Sequence, residues 1–314
     1  MILALAGGVG GARLAQGLVR VLAPDELTIV VNVGDDFEHL GLTVCPDLDT
    51  VMYTLAGVQN PATGWGRADE TWHFMQTLAR IGGEIWFRLG DHDLAVHVER
   101  TRRLASGETL STVTAALCAS FGIRHPVLPA TDQRLRTRVT TDAGELAFQD
   151  YFVRRRAEPA VRALHYDGAD AAGPAPALAA LIGTGRITGI VVCPSNPWLS
   201  IDPILAVAPI AAFVDSHAVP VVAVSPIVAG SAVKGPAAKI MRELGAGDNA
   251  LGVVDHYATR VGAWVIDRED AALGEAIRSR GCRVAVTDTI MSTAERSREL
   301  AATALAMLRG TGAP

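Results

Sequence analysis

Six short apolar segments recur along the chain with helical patterns between them, and this alternation constrains the fold more than any other feature. The segments span residues 2–5, 28–33, 189–193, 220–224, 262–266 and 283–287. Strands that alternate with helices are joined by crossover connections, which place them parallel in one sheet with helices on both faces. We therefore predict an α/β fold with a doubly wound, mostly parallel, Rossmann-like sheet. Its first helix would pack through Leu14, Leu18, Val21 and Leu22.

The alternation breaks between about residues 60 and 165. Helical patterns cover residues 71–80 and 109–122, with another helix starting after residue 90, and residues 137–140 and 146–148 flank a turn in the manner of a hairpin. We predict one α/β domain over residues 1–314. An inserted helical and small β subdomain, approximately residues 60–165, would cover the active-site edge of the sheet.

Composition argues against several classes of protein. The net charge is −5 and the only cluster of basic residues is 154–156, which argues against general binding to nucleic acid or to a membrane surface. The four cysteines are scattered, as is typical of buried thiols in a reducing compartment. The longest apolar run, residues 203–214, is too short to span a bilayer and is either core or a dimer face. We therefore expect a cytoplasmic protein.

Residues 7–11 form a glycine loop between the first strand and the first helix. Gly8, Gly10 and Gly11 leave room for close approach to backbone amides at a helix start, where phosphate binds. The loop is neither a dinucleotide fingerprint, because Arg13 stands where the third glycine belongs, nor a Walker A loop. The pattern favours phosphate binding.

Four acidic residues follow the second strand and begin the next helix. Asp35 and Asp36 come at the strand end, and Asp47 and Asp49 come where the helix starts. Carboxylates gathered at the carboxyl edge of a parallel sheet repel one another unless a cation lies among them, and oxygen ligands suit Mg²⁺. The alternative is that Asp47 only caps the helix, whose core face would be Leu48, Met52 and Leu55, while the first two acids form a turn.

Other polar residues fall beside predicted elements. Arg88 and Asp91 precede a helix on which Asp93, His97, Arg100 and Thr101 share one face and Leu94, Val98 and Leu104 share another; the polar face is either solvated surface or site. Two further strands end in polar loops that suit a nucleotide. The side chains concerned are Ser195, Asn196, Ser225 and Lys234.

Several long motifs, in this order, resemble the 2-phospho-L-lactate transferase family of coenzyme F-420 biosynthesis. The motifs are GGVGGAR, NVGDD, GLTVCPDLDTVMYTLAG, FRLGDHDLAVHVERT, PSNPWLSIDPILAV and AVSPIVAGSAVKGPAAK, and they cover essentially the whole chain. The resemblance implies transfer of a phospho-carboxylate from a guanosine diphosphate-linked donor to the ribityl hydroxyl of the deazaflavin FO, with release of GMP. The carboxylate would be of the phospholactate, phosphoenolpyruvate or phosphoglycerate type. It also implies magnesium and a homodimer.

The resemblance assigns roles residue by residue. Asp49 and Arg88 match FO-binding positions, and we place Asp91, Asp93 and His97 beside them. The guanosine diphosphate part would bind at Gly8, Gly10, Gly11, Ser195, Asn196, Ser225 and Lys234. Asp35 and Asp49 would be catalytic and hold magnesium, although Asp36 and Asp47 are alternative ligands. Two departures from the family pattern are Arg13 for lysine and Asn249 for serine.

Two other functions compete with the transferase. A related branch of the superfamily consists of regulators that bind a nucleotide sugar and perform no transfer, but PDLDTVMYTLAG and GDHDLAVHVERT supply an FO pocket that such a sensor does not need. A nicotinamide oxidoreductase is disfavoured by Arg13 and by the missing acidic residue after the second strand.

Overall fold

The computed structural model of the protein describes residues 1–232 and 235–310. The strands of this part of the chain are β1 (Ile2–Ala6), β2 (Leu27–Val31), β3 (Phe37–His39), β4 (Leu42–Val44), β5 (Val127–Pro129), β6 (Arg136–Thr141), β7 (Gly144–Ala147), β8 (Val161–Asp167), β9 (Gly189–Val192), β10 (Val221–Val224), β11 (Ile227–Val228), β12 (Ser231–Ala232), β13 (Ala263–Asp267) and β14 (Arg283–Thr287). Its α-helices are α1 (Gly8–Leu18), α2 (Pro46–Ala56), α3 (His73–Arg80), α4 (Asp91–Ala105), α5 (Leu110–Ser120), α6 (Pro176–Gly183), α7 (Asp202–Leu205), α8 (Ala208–Asp215), α9 (Ala237–Glu243), α10 (Ala250–Tyr257), α11 (Gly274–Arg278) and α12 (Ala294–Arg309).

Seven strands form one parallel sheet in the order β14-β13-β10-β9-β1-β2-β5. Because successive strands are added on opposite sides of β1, the order reverses between β1 and β9, and a crevice opens beyond their carboxyl ends. Helix α1 packs against both α2 and α12. The prediction of a doubly wound, mostly parallel sheet is confirmed.

The inserted range contributes to more than one part of the fold. Strand β5 pairs with β2 at the edge of the central sheet, so residues 60–165 include a strand of that sheet. The predicted hairpin forms as β6 and β7, and β8 adds a third antiparallel strand beyond it. Strand β8 is not predicted from the sequence because most of its side chains are only partly buried, which leaves a weak apolar pattern.

Three details differ from the sequence predictions. Helix α1 ends at Leu18, and Val21, predicted on its core face, is 38% exposed. Val98 was predicted to face the core but is 48% exposed. Val21 lies beyond the end of α1, whereas Val98 lies in the middle of α4 between Leu94 and Leu104, which pack against two different clusters.

The long apolar run lies inside the molecule. Ile204, Val207 and Ile210 are fully buried in α7, α8 and the turn between them, so the run contributes to the core. Among the described residues no single helix is long and apolar enough to cross a membrane. One pair of helical segments, Pro197–Leu205 and Ala208–Asp215, is together long and apolar enough by length and composition alone, but the two are bent by 94° at the break between them. All four cysteines are free thiols, and three of them are buried.

Candidate active site

A cavity of about 550 Å³ lies at the carboxyl ends of β1 and β9. This volume is within the range of small-molecule sites, and the position is the one where open α/β sheets bind ligands. The predicted site residues that line the cavity are Gly8, Gly10, Asp35, Asp49, Arg88, Asp93, His97, Ser195, Asn196 and Ser225. The fold therefore brings residues predicted to bind the nucleotide and residues predicted to bind FO or magnesium to one cavity.

The glycine loop is fitted tightly against the loop that follows β9. A Cβ on Gly10 would lie 2.1 Å from the carbonyl oxygen of Pro194, and one on Gly11 would lie 2.5 Å from Ser195 Oγ. Ser195 Oγ accepts a hydrogen bond from the Gly7 amide at 3.1 Å and donates one to the Gly7 carbonyl at 2.8 Å. Gly11 is not among the cavity-lining residues, so its part in the structure is close packing.

Replacing Gly10 by alanine is therefore expected to destabilise the protein by about 1–3 kcal/mol, because the new methyl group meets a backbone oxygen and not a flexible side chain. Urea unfolding measures the change. Gly183→Ala is the control, because a Cβ there meets nothing within 4 Å. Equal stability of the two variants would contradict the close packing of the loop.

Asp47 joins the glycine loop to the first turn of α2. Its Oδ1 accepts a hydrogen bond from the Gly8 amide at 2.7 Å, and its Oδ2 accepts one from Asn32 Nδ2 at 2.9 Å. The N-cap prediction for Asp47 is wrong: Pro46 starts the helix one residue earlier, so Cys45 is the N-cap. Burial raises the pKa of Asp47 to about 6, although hydrogen bonds from Asn32 and Gly8 oppose the rise.

Asp35 lines two cavities, whereas Asp36 lines only one of them. Asp35 lines the first cavity, and within the described residues its buried Oδ1 has no hydrogen-bond partner. Burial, with the nearby charge of Asp47, raises the pKa of Asp35 well above its usual range. Asp36 lines a second cavity of about 920 Å³ and is not among the residues lining the first. Burial raises the pKa of Asp36 to about 7. Of the four acids of this cluster, Asp35, Asp47 and Asp49 therefore line the first cavity.

A buried network on α4 surrounds Asp49. Arg100 Nη1 donates to Asp49 Oδ2 at 3.1 Å, and Nη2 donates to Oδ1. His97 places Nδ1 3.7 Å from Asp49 Oδ2 and Nε2 3.3 Å from Asp93 Oδ1, and Tyr53 donates to the same Asp93 oxygen at 2.6 Å. Although burial opposes it, hydrogen bonds from His97 and Tyr53 lower the pKa of Asp93. The polar face of α4 is therefore internal and not solvated.

This network is a poor metal site despite its ligand types. Ligand atoms of Asp49, Asp93 and His97 lie within 4.8 Å of one another. The Arg100 guanidinium already supplies positive charge to Asp49, and its Nη1 lies 3.2 Å from His97 Nδ1. A divalent cation would have to bind beside this fixed charge. The unpaired Asp35 oxygen fits a cation better, because a buried carboxylate oxygen without a donor has to gain either a proton or a cation.

Asp91 and Glu70 fix the helices that carry the substrate-side residues. Asp91 accepts hydrogen bonds from Thr71 Oγ1 and from two amides at the start of α3, and it is not among the cavity-lining residues. Its position does not support the predicted contact with substrate. Glu70 in turn accepts hydrogen bonds from the amides of His92 and Asp93 at 2.8 Å, which holds the start of α4.

Arg88 lines the cavity, and its guanidinium carbon lies 4.1 Å from the centroid of the Trp72 ring.

The residues predicted to bind the nucleotide differ in whether their polar atoms already have hydrogen-bond partners. Asn196 Oδ1 accepts from the amides of Trp198 and Leu199, while its buried Nδ2 has no partner among the described residues. Ser225 Oγ is held by Ile227 through both its carbonyl and its amide. Lys234 lies outside the described residues. Asn196 therefore keeps a donor for a ligand, and Ser225 mainly shapes its turn.

Aromatic side chains were missed as cavity residues. Trp65 lies at the cavity, is 53% exposed, and is flanked by Gly64 and Gly66 with positive φ values of 78° and 69°. Phe148 and Phe152 also line the cavity and stack in parallel with ring centroids 5.4 Å apart. An exposed aromatic between two glycines is a sequence signal for a binding loop, but nothing local shows which cavity it lines. Arg13 also lines the cavity and donates to the Met291 carbonyl.

Comparisons with known proteins identify the family of the chain and known structures with its fold. The model of the family described as 2-phospho-L-lactate transferase matches residues 2–305. Proteins named phosphoenolpyruvate transferase are similar over nearly their whole length. That of Streptomyces coelicolor is 42% identical over 98% of this chain and 97% of its own, and that of Mycolicibacterium smegmatis is 38% identical over 91% and 94%. A solved protein of the UPF0052 family from Bacillus halodurans shares the fold, with a TM-score of 0.62 and 13% identity over 96% of this chain and 98% of its own. The chain therefore belongs to the 2-phospho-L-lactate transferase family.

Proposed function

We propose that the protein transfers a phosphoenolpyruvyl group from a guanosine diphosphate-linked donor to FO in coenzyme F-420 biosynthesis. The oxygen of the ribityl hydroxyl bonds to the phosphorus that carries the carboxylate group, the bond from that phosphorus to GMP breaks, and the hydroxyl proton is released. One observation carries the proposal: a single cavity is lined by the glycine loop and by Asp35, Asp49 and Arg88. Donor and acceptor can thus meet within it.

The nucleotide end of the cavity supports binding of the donor. The amides at the start of α1 point toward it with the positive end of the helix dipole, and Arg13 adds a fixed positive charge. The Gly8 amide is already bonded to Asp47, so the amides that follow it are the ones assigned to phosphate. Asn196 Nδ2 is a further donor at this end.

The acceptor end of the cavity supports binding of a flat, hydroxyl-bearing molecule. Trp65, Phe148 and Phe152 provide aromatic faces against which a ring system can stack. Arg88 provides a guanidinium at the same cavity, and Asp49 provides a carboxylate that can accept a hydrogen bond from a hydroxyl group. His97 contacts both Asp49 and Asp93, and all three side chains line the cavity.

We assign magnesium chiefly to Asp35. Asp49, which already pairs with Arg100, would contribute only a remaining lone pair as the second carboxylate. Asp35 Oδ1 is buried and unpartnered in the described residues, while Asp49 keeps lone pairs beyond those that Arg100 uses. Magnesium bound there would neutralise negative charge on the reacting phosphate. The protein's own residues position the reactants, which is the larger part of catalysis in phosphate transfer.

The choice of phosphoenolpyruvate rests on the relatives. Those with 38–42% identity are named phosphoenolpyruvate transferase. Phospholactate and phosphoglycerate differ from it by a few atoms, and a pocket distinguishes such groups by a few contacts. Turnover of the three donors in parallel tests the assignment, which fails if phosphoenolpyruvate is not the preferred group.

FO binding, followed by its own fluorescence with and without magnesium and GDP, tests the proposed function directly. We expect the wild-type protein to bind FO and to convert it when donor and magnesium are added. Binding of GDP or another nucleotide without any binding of FO would overturn the transferase proposal and favour the regulator.

Lys234→Ala is expected to weaken GDP binding by roughly 10-fold and to leave FO binding unchanged, because an ammonium group contributes mainly to phosphate contacts. Isothermal titration measures both affinities. The chain has one other lysine, Lys239, which pairs with Glu243 away from the cavity. Lys239→Ala is therefore the control. Equal loss of GDP and FO binding in Lys234→Ala would point to misfolding instead.

A further inference from the structure

Arg100 is a buried cation whose main partner faces the substrate cavity. Its side chain is 2% exposed, and it pairs with Asp49 through two hydrogen bonds. Asp49 lines the cavity, whereas Arg100 is not among the lining residues. Arg100 can therefore act on a substrate through Asp49 but not by direct contact.

The guanidinium is fixed from several sides. Nη1 also lies 3.4 Å from the Thr43 carbonyl, which it donates to, and 3.2 Å from His97 Nδ1. A planar guanidinium with two parallel bonds to a carboxylate fixes the direction of that carboxylate as well as its place. The orientation of Asp49 toward the cavity is thus set by a residue on another helix, 51 positions along the chain.

We propose that Arg100 is a positioning residue of the transfer reaction: its guanidinium holds the Asp49 carboxylate in the one orientation that receives the acceptor hydroxyl. The inference rests on the proposed function and extends it to a residue that contacts no substrate. Stability alone does not require this pair, because a buried ion pair is often no better than apolar packing of the same volume.

Arg103 provides a matched comparison on the same helix. It also makes two hydrogen bonds to one carboxylate, that of Glu108, although through Nε and Nη2 and not through the two terminal nitrogens, and it lines neither cavity described above. A change of arginine to lysine at either position keeps the charge and removes the planar guanidinium group that makes two hydrogen bonds to one carboxylate. Only the guanidinium group of Arg100 pairs with a carboxylate that lines the substrate cavity.

The experiment is a double-mutant cycle on kcat and KM with Arg100→Lys, Asp49→Asn and the double variant, and with Arg103→Lys as control. We expect Arg100→Lys to lower kcat by roughly 10- to 100-fold, the cost of a displaced catalytic group, with KM values changed less than about 3-fold. The double variant should be no slower than Asp49→Asn alone, since Arg100 acts through Asp49. Arg103→Lys should stay within about 2-fold of the wild type.

Two results would overturn the proposal. One is an additive loss in the double variant, and the other is wild-type kcat in Arg100→Lys with an unchanged melting temperature. Arg100→Met, if it folds, should be at least as slow as the lysine variant. If the wild type binds FO without turnover, the transferase function fails. The same double-mutant cycle, measured as dissociation constants for FO instead of kcat, then decides whether Arg100 acts through Asp49.

Discussion

Asp49→Asn is expected to lower kcat by about 100- to 1,000-fold while the fold persists. The amide has the shape of the carboxylate, so packing in α2 is preserved. The side chain loses the charge that pairs with Arg100 and the acceptor oxygen that faces the acceptor hydroxyl. Steady-state turnover of FO with the phosphoenolpyruvyl donor measures the loss.

Asp167→Asn is the control for this experiment, because Asp167 pairs with Arg138 at 2.8 Å and is not among the residues lining the cavity. It should retain wild-type turnover. Circular dichroism on both variants separates chemistry from folding. If Asp49→Asn keeps activity within a few-fold of the wild type, the central assignment of the site is wrong.

Asp35→Asn is expected to reduce magnesium-supported turnover by about 100-fold and to raise the magnesium concentration needed for half-maximal rate. The expected cause is loss of a hard oxygen ligand whose Oδ1 has no other partner among the described residues. A magnesium titration of turnover gives both quantities in one experiment.

The adjacent Asp36 is a close control for Asp35. Its carboxylate lines the second cavity, so Asp36→Asn should leave the magnesium response within a few-fold of the wild type. A larger effect in Asp36→Asn than in Asp35→Asn would move the cation to the side of the second cavity and contradict the assignment.

Much of the fold could be predicted because the central strands are buried on both faces and read as continuous apolar runs. The placement of the cavity followed from the same pattern, since parallel strands bring their carboxyl ends to one edge. Asp35 and Asp49 lie 14 positions apart in sequence and still line one cavity for this reason. This prediction does not depend on knowing which residues far apart in the sequence contact each other.

The parts that could not be predicted depend on which surfaces meet. The polar face of α4 was visible from its period, but only the packing of α4 against α2 shows that Arg100 pairs with Asp49. Asp91 and Asp93 are two residues apart on a helix and so point in different directions, one toward α3 and one toward His97. Asp47 bonds to the glycine loop instead of its own helix because of where α1 lies.

The paired hydrogen bonds between Ser195 and Gly7 have a consequence for how reactants come and go. They connect the ends of β1 and β9 across the point where the sheet changes direction, and Gly10 packs against Pro194 beside them. The floor of the crevice therefore cannot hinge open without breaking both bonds. We therefore expect entry and product release to take place on the side of the cavity lined by the exposed side chains of Trp65 and Phe152.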